Sequence, residues 1–499
     1  MSELQTTDAH SKTQILKSTA IFGSAQVIII IVGMVRTKVL ALLLGPLGIG
    51  IAGLYQSTLD LIKTITGLGL GYSGVRDIAD ASASGDIKKL STVFSVIKRW
   101  TLIAGVAGVL LTIAFSRQIS QLTFGDKLHA TGISILSVTL LFSAFSTPRS
   151  ALLQGLRQIN KMAKATVWSA IASLFGAIAI YYFFGIKGII PAIVWIAFVE
   201  LVIILFYSGS IKTEQASLST SKSFVMGQAM IKLGFFMTMS ALASTVSMYF
   251  VRSFIARQNG LDVIGYFVAA WTISSLYISA AFNAMGADYF PRLTSVHNDR
   301  KEANKLVNDQ TEIALLLTVP VIVIMISFID WIVPVFYSKA FTVTATILSW
   351  QLLGDFFKVL AWPLGFILLA KGKGLIFLIT EVTWNILFCS IVYFGWSHFG
   401  VEITGIGFLI TYFVYLVALY LIVSKQVSFS WTRKIWKSIV FFTMILFLAY
   451  LNVKFSNAVI RLVVGFILTI AAAIYSYTHL KNLIAFKSVM RRIRIKNAF

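Results

Sequence analysis

From position 18 to position 480 the sequence alternates between apolar runs of about twenty residues and short polar links, and this rhythm limits the possible folds more than any motif does. A bilayer core about 30 Å thick is crossed by roughly 20 apolar helical residues, whose backbone polar groups are all satisfied within the segment. The runs predict helices at 18–43, 48–75, 90–115, 129–148, 165–184 and 188–208, then at 224–256, 263–290, 306–329, 340–370, 374–395 and 401–424, and finally at 438–453 and 458–480. An all-α polytopic membrane protein of about fourteen transmembrane helices follows. Composition agrees: 58% hydrophobic and 12% charged residues leave too little polar surface for a soluble domain of this length.

Lysine and arginine total 42 against 19 acids. In a soluble chain that excess would suggest nucleic acid. Here the cations gather in alternate links, at Arg149 to Lys164, at Arg292 to Lys305, at Arg433 to Lys437 and in the tail with Arg491, Arg492, Arg494 and Lys496. Cytoplasmic links are the basic ones, so both termini are expected on the cytoplasmic side, and no nucleic-acid partner is implied. The polar start, Met1 to Lys17, lacks a cleavable signal pattern, so the first run is expected to stay as a spanning helix. The expected organisation is an N-terminal lobe at 1–208, a cytoplasmic link at 209–223, a C-terminal lobe at 224–425, a last helix pair at 433–480 and a basic tail at 481–499.

An internal repeat connects the two lobes at an offset of 215 residues, 260 less 45. Gly45, Ile49 and Gly50 recur as Gly260, Ile264 and Gly265, Pro148 recurs as Pro363, and Phe184 with Gly185 recurs as Phe399 with Gly400. One residue out of step, Lys89 and Leu90 match Lys305 and Leu306. Six helices per lobe is an even number, so the lobes keep one orientation and form parallel repeats, an arrangement found in transporters.

Ionisable groups inside a span cost free energy unless they face protein or water, about 2.5–3.5 kcal/mol each at the midplane on insertion scales. Gln56, Asp60 and Lys63 stand at i, i+4 and i+7, on one face of the second helix. Gln351, Asp355 and Lys358 repeat that spacing in the tenth. The lysines are too deep to reach an interface, so these six residues are candidates to line a cavity and bind an anionic substrate. The bland alternative is that each Asp and Lys neutralise one another to ease insertion. Arg36 and Arg252 lie nearer the outer ends of helices 1 and 7, nearly equivalent across the repeat, and are further candidates. Glu200 and Glu381 are isolated intramembrane acids and candidates for ion coupling. Tyr55, Trp271, Ser275, Ser279, Asn283, Trp350 and Trp362 are read either as sugar contacts or as helix packing.

Enzymatic readings have little to stand on. His10, His129, His297, His398 and His479 all fall in tails, links or helix ends, and no P-loop is present. Cys389 is the single cysteine, so no intrachain disulfide can form and no cysteine metal site or cofactor is expected. A membrane polymerase or ligase of lipid-linked sugars would be expected to carry a large outer loop, whereas the outer links here are short.

The turn formed by Gly45, Pro46, Gly48, Gly50, Ala52 and Gly53, followed by Gly67, Gly69, Gly71 and Gly74, resembles that of the Wzx-type O-antigen and lipid-linked oligosaccharide flippases of bacterial inner membranes. The two-lobed plan resembles the wider superfamily of multidrug exporters, polysaccharide transporters and the lipid II flippase. The resemblance implies a flippase, not an enzyme, that moves an undecaprenyl-diphosphate-linked oligosaccharide by alternating access. Its partners would be that substrate, membrane lipids and other polysaccharide-assembly proteins. It also implies that the final helix pair resembles the lipid II flippase's guide for the prenyl tail. A cation-coupled multidrug exporter is the alternative within the superfamily.

Overall fold

The computed structural model describes side chains at 24–211 and 226–481, except 68, 72, 229, 231–237, 284, 287, 288, 291 and 456, and describes the helical backbone alone at 2–23, 220–225 and 482–496. Most of the expected cytoplasmic link, at 212–219, and the side chains of the basic tail from 482 onward lie outside the described residues. Packing divides the chain into two compact units, 1–265 and 266–499.

Among the described residues the chain is helical, with no strand. The first unit holds α1 (Ser2–Gly67), α2 (Leu70–Ala83), α3 (Ile87–Ala114), α4 (Ser116–Thr123), α5 (Ala130–Leu136), α6 (Val138–Gly155), α7 (Ile159–Phe184), α8 (Ile189–Ser208) and α9 (Thr220–Asn259). The second holds most of α10 (Leu261–Ser295), then α11 (Arg300–Ser327), α12 (Ile329–Phe336), α13 (Thr342–Ala370), α14 (Gly374–Phe399), α15 (Ile403–Val427), α16 (Arg433–Phe455) and α17 (Ala458–Lys496). Among the described residues eleven stretches are long and apolar enough to cross a membrane. Three of them, of 44, 50 and 54 residues, are hairpins long enough to cross twice. The set is compatible with fourteen crossings.

Local chemistry explains the breaks. α1 turns at Gly45, whose φ of 63° and ψ of −163° suit only glycine, and Pro46 restarts the helix where its missing N–H costs nothing. The sequence predicts one helix over 48–75, but the chain leaves α1 at Gly67 and turns at Gly69 before continuing as α2. Asp86 and Asp299 cap α3 and α11, each accepting from the amides two and three residues on. The caps differ by 213 positions, so in this stretch the repeat runs at a shorter offset than the Lys89 to Lys305 match suggests. At the α7 and α14 ends the offset is again 215, with φ of 57° at Gly185 and 53° at Gly400, each followed by a 3₁₀ turn.

Within the first unit, Leu70, Ile78, Val96, Ile97, Leu152 and Met230 form a buried core against which Trp100 packs. The α1 turn meets the start of α10 backbone to backbone. A Cβ on Gly50 would overlap the Leu261 carbonyl, and one on its repeat equivalent Gly265 would overlap the Pro46 carbonyl. The Arg257 guanidinium of α9 donates to the carbonyls of Gln121 and Leu122 at the end of α4, and Tyr249 pairs with Thr123 at 2.7 Å. In the second unit α11 and α13 are central. α16 is anchored to α11 by the Lys434–Glu312 ion pair at 2.6 Å, and α17 is tied to α12 through Arg461 and Asp330. Large apolar side chains such as Phe183, Phe206, Phe394 and Phe455 stand exposed around both units, as a lipid-facing surface requires.

Candidate functional site

The ten charged and amide residues singled out by sequence sort into three groups. The first lies on α1 beyond its turn. Gln56 is exposed, and its amide donates to Asp60 Oδ1 at 2.8 Å, the contact that i, i+4 spacing allows. Arg252 on α9 reaches into the same place: it donates to the Gly53 carbonyl at 3.1 Å and lies within electrostatic range of Asp60. Lys63 is half-buried and makes no ion pair among the described residues. A carboxylate beside one guanidinium, with an ammonium one turn away, leaves a net positive local charge able to attract an anion. Tyr55, which is 3% exposed, points elsewhere and packs on Phe124.

Arg36 does not join Arg252. With Glu200 it lines a separate cavity of about 270 Å³ between α1, α6, α7 and α8, where Ser150, Thr166, Ser169 and Ser173 supply hydroxyls. Glu200 is exposed and Arg36 half-buried.

The third group belongs to the second unit. Asp355 has no exposed surface, and its Oδ2 accepts from Ser274 at 2.7 Å and from Tyr277 at 2.8 Å. Its Oδ1 makes no hydrogen bond among the described residues, nor does either amide atom of Gln351, which is equally buried one turn earlier. Lys358 is half-buried, its Nζ 5.8 Å from the Phe408 ring centre and 5.5 Å from that of Tyr412. It interacts electrostatically with both Asp355 and Glu381. Glu381 on α14 accepts from the Tyr415 hydroxyl of α15 at 2.7 Å. Two carboxylates thus lie within electrostatic range of one ammonium, each steadied by hydroxyls, in the kind of intramembrane cluster that costs free energy unless fully partnered.

In the sequence Glu381 stands alone, and Ser274, Tyr277 and Tyr415 are not among the candidates. The signal for the first two was helical phase. Trp271, Ser274 and Tyr277 recur every third residue, and the Trp271 indole packs against Phe388 and Phe408 beside Lys358, so this face of α10 looks into the cluster. Of the other aromatics named from sequence, Trp362 stacks on Phe282 and Trp350 donates to Glu402 at 2.7 Å.

The model of a family described as "Polysaccharide biosynthesis protein" matches residues 39–346. The chain is 24% identical over 395 residues to the lipid III flippase of Escherichia coli K12, covering 77% of this chain and 92% of that one. It is 23% identical over 367 residues to a putative O-antigen transporter of Shigella flexneri, covering 72% and 85%. Among solved structures it resembles the lipid II flippase MurJ in an inward closed conformation, with a TM-score of 0.71 at 18% identity over 92% of this chain and 99% of that one. An inward-facing multidrug transporter of the MATE family matches with a TM-score of 0.68 at 18% identity, over 82% and 98%. At 18% identity these two likenesses establish the fold alone. A family match over more than half the chain, spanning the α1 turn, the buried Ser274 and the half-buried Tyr277, establishes kinship: the chain belongs to the polysaccharide biosynthesis protein family of multi-pass membrane proteins.

Proposed function

We propose that this protein is a flippase that carries an undecaprenyl-diphosphate-linked oligosaccharide, an O-antigen-type repeat unit, across the bacterial inner membrane by alternating access. The observation that carries the reading is the α1 group, where Lys63 and Arg252 outnumber Asp60 at a depth where an unbalanced cation is costly and an anionic passenger offsets it. A cation within 4 Å of a phosphate oxygen gains about 4 kcal/mol at an effective dielectric near 20, far more than at a surface. The two relatives' names point to the same class of cargo. In this reading Lys63 and Lys358 engage the diphosphate or an acidic sugar in turn, the prenyl tail stays in lipid, and α16 and α17 guide it. Glu381, held beside Lys358, serves as the coupling acid.

Proteoliposomes loaded with a defined lipid-linked oligosaccharide test the proposal through its exposure to an enzyme added outside. Protein-dependent movement of the glycolipid supports it. Efflux of cationic dyes with no movement of any lipid-linked sugar would instead establish the drug-exporter alternative.

A further inference from the structure

We propose that the cavity between α1, α6, α7 and α8 binds a single anionic sugar of the translocated glycan, its oxyanion on Arg36 and its hydroxyl or amide donors on Glu200 and the hydroxyls between them. The inference rests on the flippase reading above and assigns it a specificity site. Arg36 and Glu200 line one cavity of about 270 Å³, yet among the described residues they form no ion pair or hydrogen bond with each other or with any other group. Opposite charges at membrane depth that do not neutralise one another are expensive, and a ligand spanning both removes the expense.

The lining says what that ligand must be. Thr166 and Ser173 donate their own hydroxyl protons to the carbonyls of Met162 at 2.7 Å and Ala170 at 3.0 Å, so towards a ligand their oxygens can only accept. Ser150 and Ser169 remain able to donate or accept. Arg36 offers donors only and Glu200, when ionised, accepts only. A ligand that fits therefore carries an anion at one edge and several O–H or N–H donors around the rest. A bare diphosphate would satisfy Arg36 and be repelled by Glu200. A neutral sugar would satisfy Glu200 and leave Arg36 unmatched. The volume lies just below the usual range for drug-sized pockets, about 300 to 1,000 Å³, so it suits one ring and not a chain of them. A sugar carrying a carboxylate, or the phosphate-bearing first sugar of the lipid-linked unit, meets all these conditions. The carboxylate is the assignment we make, because a sugar phosphate would bring a second negative charge towards Glu200.

The test uses the full chain in lipid nanodiscs, with methyl glucuronide, methyl glucoside, glucose 1-phosphate and inorganic diphosphate as probes. Trp168 and Trp195, close in sequence to the lining residues Ser169 and Ile196, provide an intrinsic fluorescence signal. A charge-assisted bond to Arg36 should make the glucuronide bind about tenfold or more tightly than the glucoside. Arg36→Gln should erase that preference, Arg36→Lys should keep part of it, and Glu200→Gln should weaken both sugars alike. Equal binding of glucuronide and glucoside, or a preference that survives Arg36→Gln, overturns the site. Tighter binding of glucose 1-phosphate than of the glucuronide overturns the carboxylate assignment. The two readings fail separately: wild-type protein that flips lipid-linked glycan but binds no glucuronide removes the site alone, whereas glucuronide binding with no flipping of any lipid-linked glycan removes the flippase reading.

Discussion

Lys358→Met is the substitution that best separates a structural cluster from a working one. The lysine is half-buried beside Asp355, which has no exposed surface, and it also interacts with Glu381. Asp355 keeps its Ser274 and Tyr277 hydrogen bonds in the variant, but neutral hydroxyls cannot offset a buried charge. Removing the cation that faces a buried carboxylate costs up to about 3–5 kcal/mol, the range for a fully buried pair, with roughly another 0.5–2 from the lost cation–π contacts to Phe408 and Tyr412. Lys358→Met should therefore unfold well below the wild type in a detergent thermal-shift assay, for which Cys389 can serve as the thiol that reacts on unfolding. Adding Asp355→Asn removes the uncompensated charge while keeping an acceptor for Ser274 and Tyr277, so the double variant should recover about 2 kcal/mol or more of the loss. Flipping at matched protein levels then decides the role: a double variant that is folded but inactive assigns Lys358 to the passenger, and one that is folded and active leaves the lysine a structural counter-charge. Additive losses in the double variant would refute the coupling on which this reasoning depends.

Other outcomes follow from the same geometry. Lys63→Ala should abolish flipping while leaving membrane-inserted protein at wild-type levels, because Lys63 makes no ion pair among the described residues; equal loss of inserted protein would make it a folding residue. Gly50→Val and Gly265→Val should each sharply lower the thermal midpoint, since the added Cβ meets a backbone carbonyl, whereas Gly33→Ala, with open space around it, should not. Single-cysteine variants of a Cys389→Ser chain at Lys187, Lys339 and Lys454 should react with an impermeant reagent from outside, and those at Lys161, Arg300 and Lys373 should not; any inversion breaks the assigned orientation. Outside the spans, burial raises the Asp126 carboxyl, but its bonds from the His129 ring and the Leu128 and His129 amides prevail and hold it below the ordinary carboxylate value of 3.8. A depressed acid contributes its full stability above that value and loses it as the pH falls through its lower folded-state value, so the midpoint difference between wild type and Asp126→Asn should be present at neutral pH and fade only as the pH drops below 3.8.

How far a sequence discloses such a site is best seen in two helices that carry the same spacing. Gln-x3-Asp-x2-Lys puts three polar groups on one face wherever it stands in a helix, and that much is legible because it depends on helical phase alone. The helices themselves, the turn at Gly45 and the repeat are legible for a similar reason: each follows from local hydrophobic length or from a backbone conformation that only glycine adopts readily. What surrounds the face depends on residues far along the chain. On α1 the face stays partly open, so Gln56 turns to Asp60 and the group gains Arg252 from nearly two hundred positions away. On α13 the same face is sealed by α10, α14 and α15, so Asp355 finds Ser274 and Tyr277, Lys358 finds Glu381, and Gln351 is left without a hydrogen bond among the described residues. Burial changes what identical residues can do. A hydrated Gln–Asp–Lys face can exchange partners with a passenger at little cost, whereas a sealed one is committed to its neighbours and must break those bonds before it binds anything. If both faces serve one transport cycle, the α1 group is the one poised to meet the anion first, and the α13 group can engage it only after its hydroxyl partners move.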